Sequence, residues 1–193
     1  MNRGICGLNG KDSQMLKSIF ACLVFVCLFA VSSASAQSSY AEDRAMIEDL
    51  QARYMFALDF GDADAYASTF TVDGVLNHGG GEAKGRDAIR NYILENRKRT
   101  EAQKAKDTSG LRPAAGRHNI SNIVIKVNGN NAVGRAYWFH VGNNNAKRAA
   151  ELDSFGHYED EMVKVNGQWL FSKRRIYNEQ AEKRAATGGN PAW

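Results

Sequence analysis

The chain contains 193 residues, of which 25 are Lys or Arg and 21 are Asp or Glu, so its formal net charge at pH 7 is +4. Without an N-terminal leader of 36 residues, described next, roughly 157 residues of nearly balanced charge remain, which is the size of one compact domain. This balance, together with the lack of a Lys/Arg block interleaved with aromatic residues, argues against a nucleic-acid-binding protein, which must neutralise many phosphates.

The first 36 residues have the three-part pattern of a secretory signal peptide. Basic residues precede an apolar run from Ile19 to Val31, and Ser-rich sequence then leads to the small residues Ala34-Ser35-Ala36. The apolar run is too short to cross a hydrocarbon core about 30 Å thick as a helix. We therefore expect cleavage before Gln37 and an exported domain, periplasmic or secreted, with no membrane anchor after cleavage. A start at Met15 instead of Met1 would give a leader of ordinary length.

All three cysteines, Cys6, Cys22 and Cys27, lie in this leader. The exported domain, predicted to cover residues 37–193, therefore contains no cysteine. We expect it to form no disulfide, to use no thiol nucleophile and to build no cysteine metal site.

Three helices are predicted in the first part of the domain. Apolar residues recur three and four apart from Ala41 to Phe60, which is the period of an amphipathic helix, and Gly61 ends that helix. Asp62 can cap a second, short helix that ends near Phe70. A third helix, with a strongly charged outer face, is predicted from about Arg86 to Gln103.

The remaining segments are predicted as strands and loops. A turn at residues 71–74 leads to a brief strand around Val75–Asn77, and a loop from Lys104 to Gly116 follows the third helix. Beyond this loop, β-branched residues and Asn-Gly turns indicate two hairpins, whose strands are Ile120–Val127 with Ala132–Val141, and Phe155–Val165 with Gln168–Ile176. Helices followed by antiparallel strands predict an α+β domain in which a curved sheet wraps around the N-terminal helices.

The turn at Asn166-Gly167 predicts the register of the second hairpin. Counting outward from it places Asp160 opposite Lys173 and Glu159 opposite Arg174. Each pair joins opposite charges, as a correct register should.

Four short motifs resemble the SnoaL-like branch of the nuclear-transport-factor-two-like superfamily. They are RYMFALDFGD at Arg53–Asp62, the turn at Phe70–Gly74, the run Gly85–Ile89, and Gly156-x-Tyr158-x-x-Glu161 leading to Gly167-Gln168-Trp169-x-Phe171. The resemblance covers residues from about 40 to 177 and implies a cone-like barrel with one apolar pocket. It also implies a cofactor-free protein that takes a small hydrophobic substrate and forms a homo-oligomer, with a trimer favoured over a dimer.

The resemblance also assigns catalytic candidates. Asp59 and His118 fall on the positions of an Asp and a His that the scytalone dehydratase and hexachlorocyclohexane dehydrochlorinase families share. An Asp bound to one imidazole nitrogen fixes the tautomer and raises the basicity of the other nitrogen, so we interpret the pair as a general base. Tyr54 matches the catalytic Tyr of the ketosteroid isomerase family, and His78 falls where that family has an Asp. The isomerase match is incomplete, because the strand Ala132–Val141 supplies no acid for an oxyanion hole.

Five further residues are candidates for substrate binding because each is polar or aromatic on a predicted strand. They are Asn122, Arg135, Trp138, His140 and Tyr158. The position of His140 depends on the first hairpin. A two-residue turn at Asn128-Gly129 places it on the face opposite His118, whereas a three-residue loop places both histidines on one face.

No metal site is predicted, because the four histidines, His78, His118, His140 and His157, show no H-x-x-x-H spacing. The chain also contains no glycine loop of the kind that holds a phosphate, since Gly79-Gly80-Gly81 lacks the Lys and Ser/Thr of such a loop.

The leading functional hypothesis is a cofactor-independent lyase of the dehydratase, dehydrohalogenase or deformylating type, with His118 as the base. One alternative is an isomerase that uses His78 as the base and Tyr54 as the oxyanion donor. Another is a non-catalytic periplasmic domain that binds a small molecule, because one scaffold can carry unrelated functions. The polar tail after Tyr177 is predicted either to fold over the pocket mouth or to be a disordered end.

Overall fold

The computed structural model of the protein describes residues 38–79, 81–180 and 189–192. The predicted leader and its cysteines lie outside these residues, as do residues 181–188 and Trp193 of the tail. Within the described part of the chain, no helix is long and apolar enough to cross a membrane. The export of the domain therefore stays a prediction.

Three helices form where the sequence pattern predicts them. Helix α1 spans Tyr40–Phe60, and its first turn is closed by Ser39 and Glu42, whose side chains each accept the other's backbone N–H. It ends at Gly61, whose φ of 64° lies in the left-handed region that favours glycine. Helices α2 and α3 follow and span Ala63–Ser68, with Asp62 as the N-cap, and Arg86–Lys104.

Six strands form one curved sheet that packs against these helices. They are β1 (Phe70–His78), β2 (Gly81–Lys84), β3 (Gly116–Asn128), β4 (Asn131–Gly142), β5 (Glu151–Val165) and β6 (Gln168–Asn178). Their order is β2-β1-β6-β5-β4-β3, and neighbours are antiparallel except for the parallel pair β1 and β6. The predicted α+β class is confirmed. The sheet curves around the helices without closing, so β2 and β3 are its edges.

Strand β1 begins earlier than predicted. Residues 71–74 were predicted as a turn but belong to this strand. Phe70 and Val75 both pair with β6, and the four residues between them form a β-bulge. A Cβ on Gly74 would lie 3.0 Å from Phe70 Cβ and 3.2 Å from the carbonyl oxygen of Phe171. Glycine therefore allows the backbone to approach β6 closely at the bulge.

The register of the second hairpin differs from the predicted one by one residue. Near the turn the pairing is as predicted, but beyond it the extra residue Ser172 of β6 shifts the partners. The prediction was wrong there, because Asp160 lies opposite Arg174, and Glu159 lies opposite Arg175. Residue types could not reveal this β-bulge, since the shifted register also pairs opposite charges.

The first hairpin places His140 on the same face as His118. Its turn is Gly129-Asn130, which has two residues but lies one position later than the predicted turn at Asn128-Gly129. A two-residue turn alone would have put the histidines on opposite faces. A β-bulge within residues 121–124 shifts the register by one, so His118 and His140 are direct cross-strand partners.

The core between the helices and the sheet is largely aromatic. Tyr54, Tyr66, Phe70, Trp169 and Phe171 are all buried in it. One ion pair is buried with them, in which Arg174 donates two hydrogen bonds of 2.7 Å to the Asp160 carboxylate. Burial of two charges is tolerated when they are paired and hydrogen-bonded in this way.

The opposite face of the sheet carries exposed aromatic side chains and contacts part of the tail. Tyr137 and Phe155 are 52% and 44% exposed on this outer face. Arg135, on the same face, donates from Nε to the carbonyl oxygen of Pro191 at 3.0 Å. This part of the tail therefore lies on the outer face and not over the pocket, while residues 181–188 lie outside the described chain. The homo-oligomer stays a prediction.

Candidate active site

Asp59, in the last turn of helix α1, and His118, near the start of strand β3, form the predicted pair. Asp59 Oδ1 lies 2.6 Å from His118 Nδ1, and the carboxylate also accepts the His118 backbone N–H at 3.0 Å. The Asp59 side chain is 6% exposed and that of His118 is 25% exposed. The helix dipole disfavours a carboxylate at this end of a helix, and these hydrogen bonds offset that cost. Asp59 therefore holds Nδ1, which leaves Nε2 as the imidazole nitrogen available to a substrate.

A second histidine–carboxylate pair lies beside the first. His140 Nδ1 is 2.6 Å from Asp153 Oδ1, and the rings of His118 and His140 are 4.5 Å apart between centroids. His140 pairs with Ser154 and Val141 pairs with Leu152, so Asp153 is the extra residue of a β-bulge in β5. The bulge turns the Asp153 side chain towards His140, as bulges next to functional sites often do. Two imidazoles, each oriented by its own carboxylate, thus face the same space.

Two glycines leave room for this second pair. A Cβ on Gly116 would lie 2.2 Å from His140 Nε2, and a Cβ on Gly142 would lie 2.3 Å from Asp153 Oδ2. Gly116 and Gly142 are cross-strand partners at the ends of β3 and β4. Any other residue at either position would displace His140 or Asp153.

A cleft beside the two pairs has an inner part that is mainly aromatic. This inner chamber has a volume of about 290 Å³. It is lined by Tyr54, Leu58, Tyr66, His78, Gly79, Tyr92, Asn96, His118, Trp138, Tyr158, Ile176 and Asn178. The inner chamber corresponds to the expected apolar pocket, and it holds four of the predicted site residues together with His118.

An outer cavity of about 500 Å³ adjoins the inner chamber, and most of the residues that line it are polar or charged. It is lined by Leu58, Asp59, Asn96, Thr100, Gln103, Lys104, Asp107, Ala114, Ala115, Gly116, His118, His140, Gly142, Asn144, Arg148 and Asp153. Leu58, Asn96 and His118 line both parts, so His118 lies where they meet. The sequence predicted a single apolar pocket and did not indicate this polar extension.

The phenol of Tyr54 is a hydrogen-bond donor in the inner chamber. Tyr66 donates its hydroxyl to the Tyr54 oxygen at 2.6 Å, which leaves the Tyr54 proton for a substrate. Burial raises the pKa of Tyr54 to about 12, and the nearby Arg174 guanidinium only partly opposes this rise. Burial likewise raises the pKa of Tyr66 and of Tyr158 well above the usual value. These phenols are therefore neutral near pH 7.

His78 lies in the inner chamber at the end of strand β1. Its ring stacks on Tyr92 of helix α3, with 4.2 Å between centroids and 30° between planes. His78 thus shares the chamber with Tyr54, while the Asp59 carboxylate binds His118.

Trp138 and Tyr158 form walls of the inner chamber, but their polar atoms have partners in the protein. Trp138 Nε1 donates to the carbonyl oxygen of Tyr177 at 3.0 Å. The Tyr158 hydroxyl lies 4.0 Å from Met55 Sδ. Their rings stack with centroids 6.0 Å apart, so they offer a flat aromatic surface to a ligand.

Two predicted substrate-binding residues lie away from the cleft. Asn122 is exposed at the β3 bulge with a left-handed φ of 51°, and it does not line the inner chamber or the outer cavity. Arg135 points to the outer face of the sheet, where it binds Pro191 and lies 3.9 Å from Glu159. Alternation in β3 predicted Asn122 beside His118, and the bulge breaks that alternation.

Several cleft residues were missed by the sequence analysis. Tyr92 and Asn96 are four residues apart on α3, so helical spacing could have found both. Asp153 gave no signal, because only the bulge in β5 brings it to His140. Among the described residues, no group of three or more His, Cys, Asp or Glu side chains is arranged to hold a metal ion.

The solved structures most relevant here share the fold at low sequence identity. A Mycobacterium tuberculosis protein of unknown function is 26% identical with a TM-score of 0.59, over 77% of this chain and 83% of that one. A Novosphingobium aromaticivorans protein with a provisional scytalone dehydratase assignment is 23% identical with a TM-score of 0.58. The match covers 78% of this chain and 95% of that one. An NTF2-like protein with a cystatin-like fold from the same species is 20% identical with a TM-score of 0.62. The match covers 81% of this chain and 95% of that one.

Comparison at the sequence level identifies the family. No curated protein matches the chain significantly. The family model of the SnoaL-like domain matches residues 39–175, which include the Asp59–His118 and Asp153–His140 pairs and all residues of the inner chamber except Ile176 and Asn178. The chain therefore belongs to the SnoaL-like domain family and has the NTF2-like fold.

Proposed function

We propose that this protein is a cofactor-independent lyase that eliminates an oxygen leaving group from a cyclic, hydrophobic small molecule. The observation that carries the proposal is the adjacency of the Asp59–His118 and Asp153–His140 pairs at the cleft. Membership of the SnoaL-like family and the scytalone dehydratase-like neighbour are consistent with an isomerase or lyase that acts on small molecules.

The two imidazoles are placed for opposite roles in one reaction. Their ring centroids are 4.5 Å apart, so both rings can reach neighbouring atoms of one substrate. In the proposed reaction one ring accepts a proton as the base and the other donates a proton as the acid. His118 lies at the junction with the aromatic chamber and takes the role of the base, whereas His140 lies only in the outer cavity and takes the role of the acid.

The elimination balances with these two residues alone. His118 Nε2 removes a proton from a carbon of the bound ring, and the electron pair of the broken C–H bond forms a C=C bond. The adjacent C–O bond breaks, and its electron pair leaves with the oxygen, which takes the proton of His140. His118 ends protonated and His140 neutral, so proton exchange through the solvated outer cavity restores the starting state.

Tyr54 supports the removal of the proton. Its hydroxyl, neutral near pH 7, can donate a hydrogen bond to a carbonyl oxygen of a ring in the inner chamber. Such a bond stabilises the negative charge that develops on that oxygen when the neighbouring C–H bond breaks.

A general acid at His140 favours one of the three leaving groups that the sequence analysis allowed, namely water, a halide and formaldehyde. A halide departs as a stable anion without a proton, and release of formaldehyde from a diol needs a base at the hydroxyl. Loss of water or an alcohol needs a proton on the departing oxygen, and His140 beside the base can supply it. The second pair therefore favours the dehydratase type over the other two.

An isomerase remains the second candidate, because Tyr54 and His78 line the same chamber. In that reaction His78 would move a proton between two carbons and Tyr54 would hold the oxyanion. His140 would have no role in it, so substitution of His140 separates the two proposals.

The proposal is tested by incubation with a panel of cyclic β-hydroxy ketones and detection of the loss of water by mass spectrometry. On any compound that reacts, His118→Ala should lower turnover by roughly 10²–10⁴-fold, the usual contribution of a general base. Gly116→Ala should also lower turnover, because its Cβ would displace His140 without removing the imidazole.

A third histidine–carboxylate pair supplies the matched control. His157 Nδ1 lies 2.6 Å from Glu179 Oε1 on the outer face of the sheet, away from the cleft. Glu179→Gln should leave turnover unchanged, whereas Asp59→Asn should reduce it. Full activity in a folded His118→Ala variant would contradict the proposal.

A further inference from the structure

Helix α3 changes from aromatic to polar along the side that faces the cleft. Tyr92 lines the inner chamber, Asn96 lines both parts, and Thr100 and Gln103 line only the outer cavity. These residues are spaced four, four and three apart, so they share one helical face. The apolar stripe that begins with Ile89 and Ile93 would normally continue at these positions. Thr100 and Gln103 are exposed at this end of α3, so a ligand in the outer cavity would meet hydrogen-bonding side chains there and not an apolar wall.

The residues of the sheet and of helix α1 that line the cleft also change from aromatic in the inner chamber to polar in the outer cavity. On the sheet, Trp138 lines the inner chamber, His118 lines both parts and His140 lines the outer cavity. On α1, Tyr54 lines the inner chamber and Asp59 the outer cavity. Three separate elements therefore make one end of the cleft aromatic and the other end hydrogen-bonding.

The charged groups of the outer cavity already have partners within the described chain. Lys104 lies 3.1 Å from Glu101, Arg148 binds Asp107, and the carboxylates of both site pairs bind imidazoles. A ligand carboxylate would compete with Asp107, and a ligand ammonium would compete with the imidazoles. Neutral groups also line the cavity, namely the amides of Asn96, Gln103 and Asn144 and the hydroxyl of Thr100. Asn96 Oδ1 accepts from Arg99, Asn144 Oδ1 accepts from Arg148, and Thr100 donates to the Asn96 carbonyl oxygen. The amide NH₂ groups of Asn96 and Asn144, the Gln103 amide and the Thr100 oxygen can still bind a neutral ligand without breaking an ion pair.

One wall of the outer cavity is held in place before any ligand binds. Arg148 has a left-handed φ of 50°, and its guanidinium donates to Asn144 Oδ1 at 3.2 Å and to the carbonyl oxygen of Arg112 at 3.1 Å. A non-glycine residue keeps this conformation only where the surroundings enforce it. These bonds join the loop after α3 to the loop between β4 and β5, so the cavity is preformed as ligand sites usually are.

We propose that the outer cavity is a subsite for an uncharged, hydroxyl-rich extension of the substrate, such as a sugar or a polyol. The extension is attached to a ring that occupies the inner chamber, and the reacting carbon lies between them at His118. This inference rests on the proposed function only for the position of the reacting carbon. The binding preference itself follows from the lining of the cleft.

The test measures binding without turnover, by isothermal titration calorimetry with four compounds that share one ring. Phenol has no extension, and phenyl β-D-glucopyranoside has a neutral hydroxylated one. Phenylacetate and phenethylamine carry an anionic and a cationic extension. The glucoside is expected to bind at least about tenfold more tightly than phenol, which corresponds to ~1.4 kcal/mol. The two charged compounds should gain less affinity over phenol than the glucoside does.

Paired variants locate the effect. In Thr100→Val combined with Gln103→Leu, the advantage of the glucoside over phenol should fall to less than about threefold, while the affinity for phenol is unchanged. Asn91→Leu, at a position of the same helix that lines neither the inner chamber nor the outer cavity, should keep the full advantage. The proposal is overturned if the glucoside binds no more tightly than phenol, if a charged compound gains more, or if none of the four binds.

The two proposals fail separately. Loss of the glucoside advantage in the wild-type protein removes the subsite but leaves the elimination intact. An unchanged elimination rate in His118→Ala removes the lyase, while the ratio of the two affinities still reports on the outer cavity.

Discussion

Tyr54 shows how burial sets the chemistry of a single residue in this cleft. Burial of its hydroxyl raises its pKa to about 12, although Arg174 lies 4.2 Å from the ring centroid and opposes the rise. In an unfolded chain a tyrosine ionises near pH 10. Between about pH 10 and pH 12 the unfolded state therefore binds fewer protons than the folded state. The free energy of unfolding must fall as the pH rises through this window.

Tyr54→Phe is expected to reduce this alkaline loss of stability. Between pH 9 and pH 12 the free energy of unfolding of the variant should fall by about 2 kcal/mol less than that of the wild-type protein, because a pKa difference of two units is worth that order of energy. Urea denaturation at both pH values measures the difference. Equal losses in the two proteins would show that the Tyr54 phenol ionises in the folded state as it does in water.

The sequence predicted some of the residues that line the cleft and missed others. Asp59 and His118 were assigned by their positions in a family motif, and the structure places their atoms 2.6 Å apart. Trp138 and Tyr158 followed from the alternation of strands. Asp153 could not be predicted, because its distance from His140 along the chain reveals nothing about a bulge between them.

At the scale of the elements, four β-bulges, in β1, β3, β5 and β6, account for most differences from the predicted fold. The ends of helix α1 and the Asn166-Gly167 turn follow from local signals, namely the Ser39 cap, Gly61 and the Asn-Gly pair, whereas the first hairpin turn lies one residue later than its Asn-Gly pair predicts. A bulge depends on packing between strands far apart in sequence, and one extra residue exchanges the two faces of a strand. The bulge in β3 removes Asn122 from the cleft and brings His140 into it.

Asn122 provides a test of this bulge. Its φ of 51° is accessible to Asn and Gly but unfavourable for a β-branched residue, by roughly 1–2 kcal/mol. Asn122→Gly should keep both stability and turnover. Asn122→Val should lower the free energy of unfolding by about that amount and should lower turnover more than its stability explains, because it strains the register of the histidines. Wild-type turnover in a folded Asn122→Val protein would show that the histidines of the cleft do not depend on the conformation of this bulge.

At the scale of the whole molecule, the fold combines an aromatic core with a cleft whose lining changes from mainly aromatic to mainly hydrogen-bonding side chains. The sheet remains open, and the cleft is lined by all three helices and by every strand except β2. The order of the predicted helices and strands indicated the α+β class, and the family resemblance implied one apolar pocket in a cone-like barrel, of which the structure has the inner chamber but not a closed sheet. Neither could predict the outer cavity, which is built by the loops after α3 and β4 and by the polar end of α3.

The central claim is that His118 acts as a base and His140 as an acid on a leaving oxygen. Its most direct test uses two benzisoxazoles, which open when a base removes their C–H proton and the N–O bond breaks to release a phenolate. The 5-nitro compound releases a stable phenolate that needs little help from an acid, whereas the unsubstituted compound releases a more basic one that needs a proton. We expect His118→Gln to lose roughly 10²-fold or more in kcat/KM on both compounds. His140→Gln should lose at least about tenfold more on the unsubstituted compound than on the 5-nitro compound. Equal losses on both compounds in His140→Gln, or unchanged rates in His118→Gln, would contradict the account.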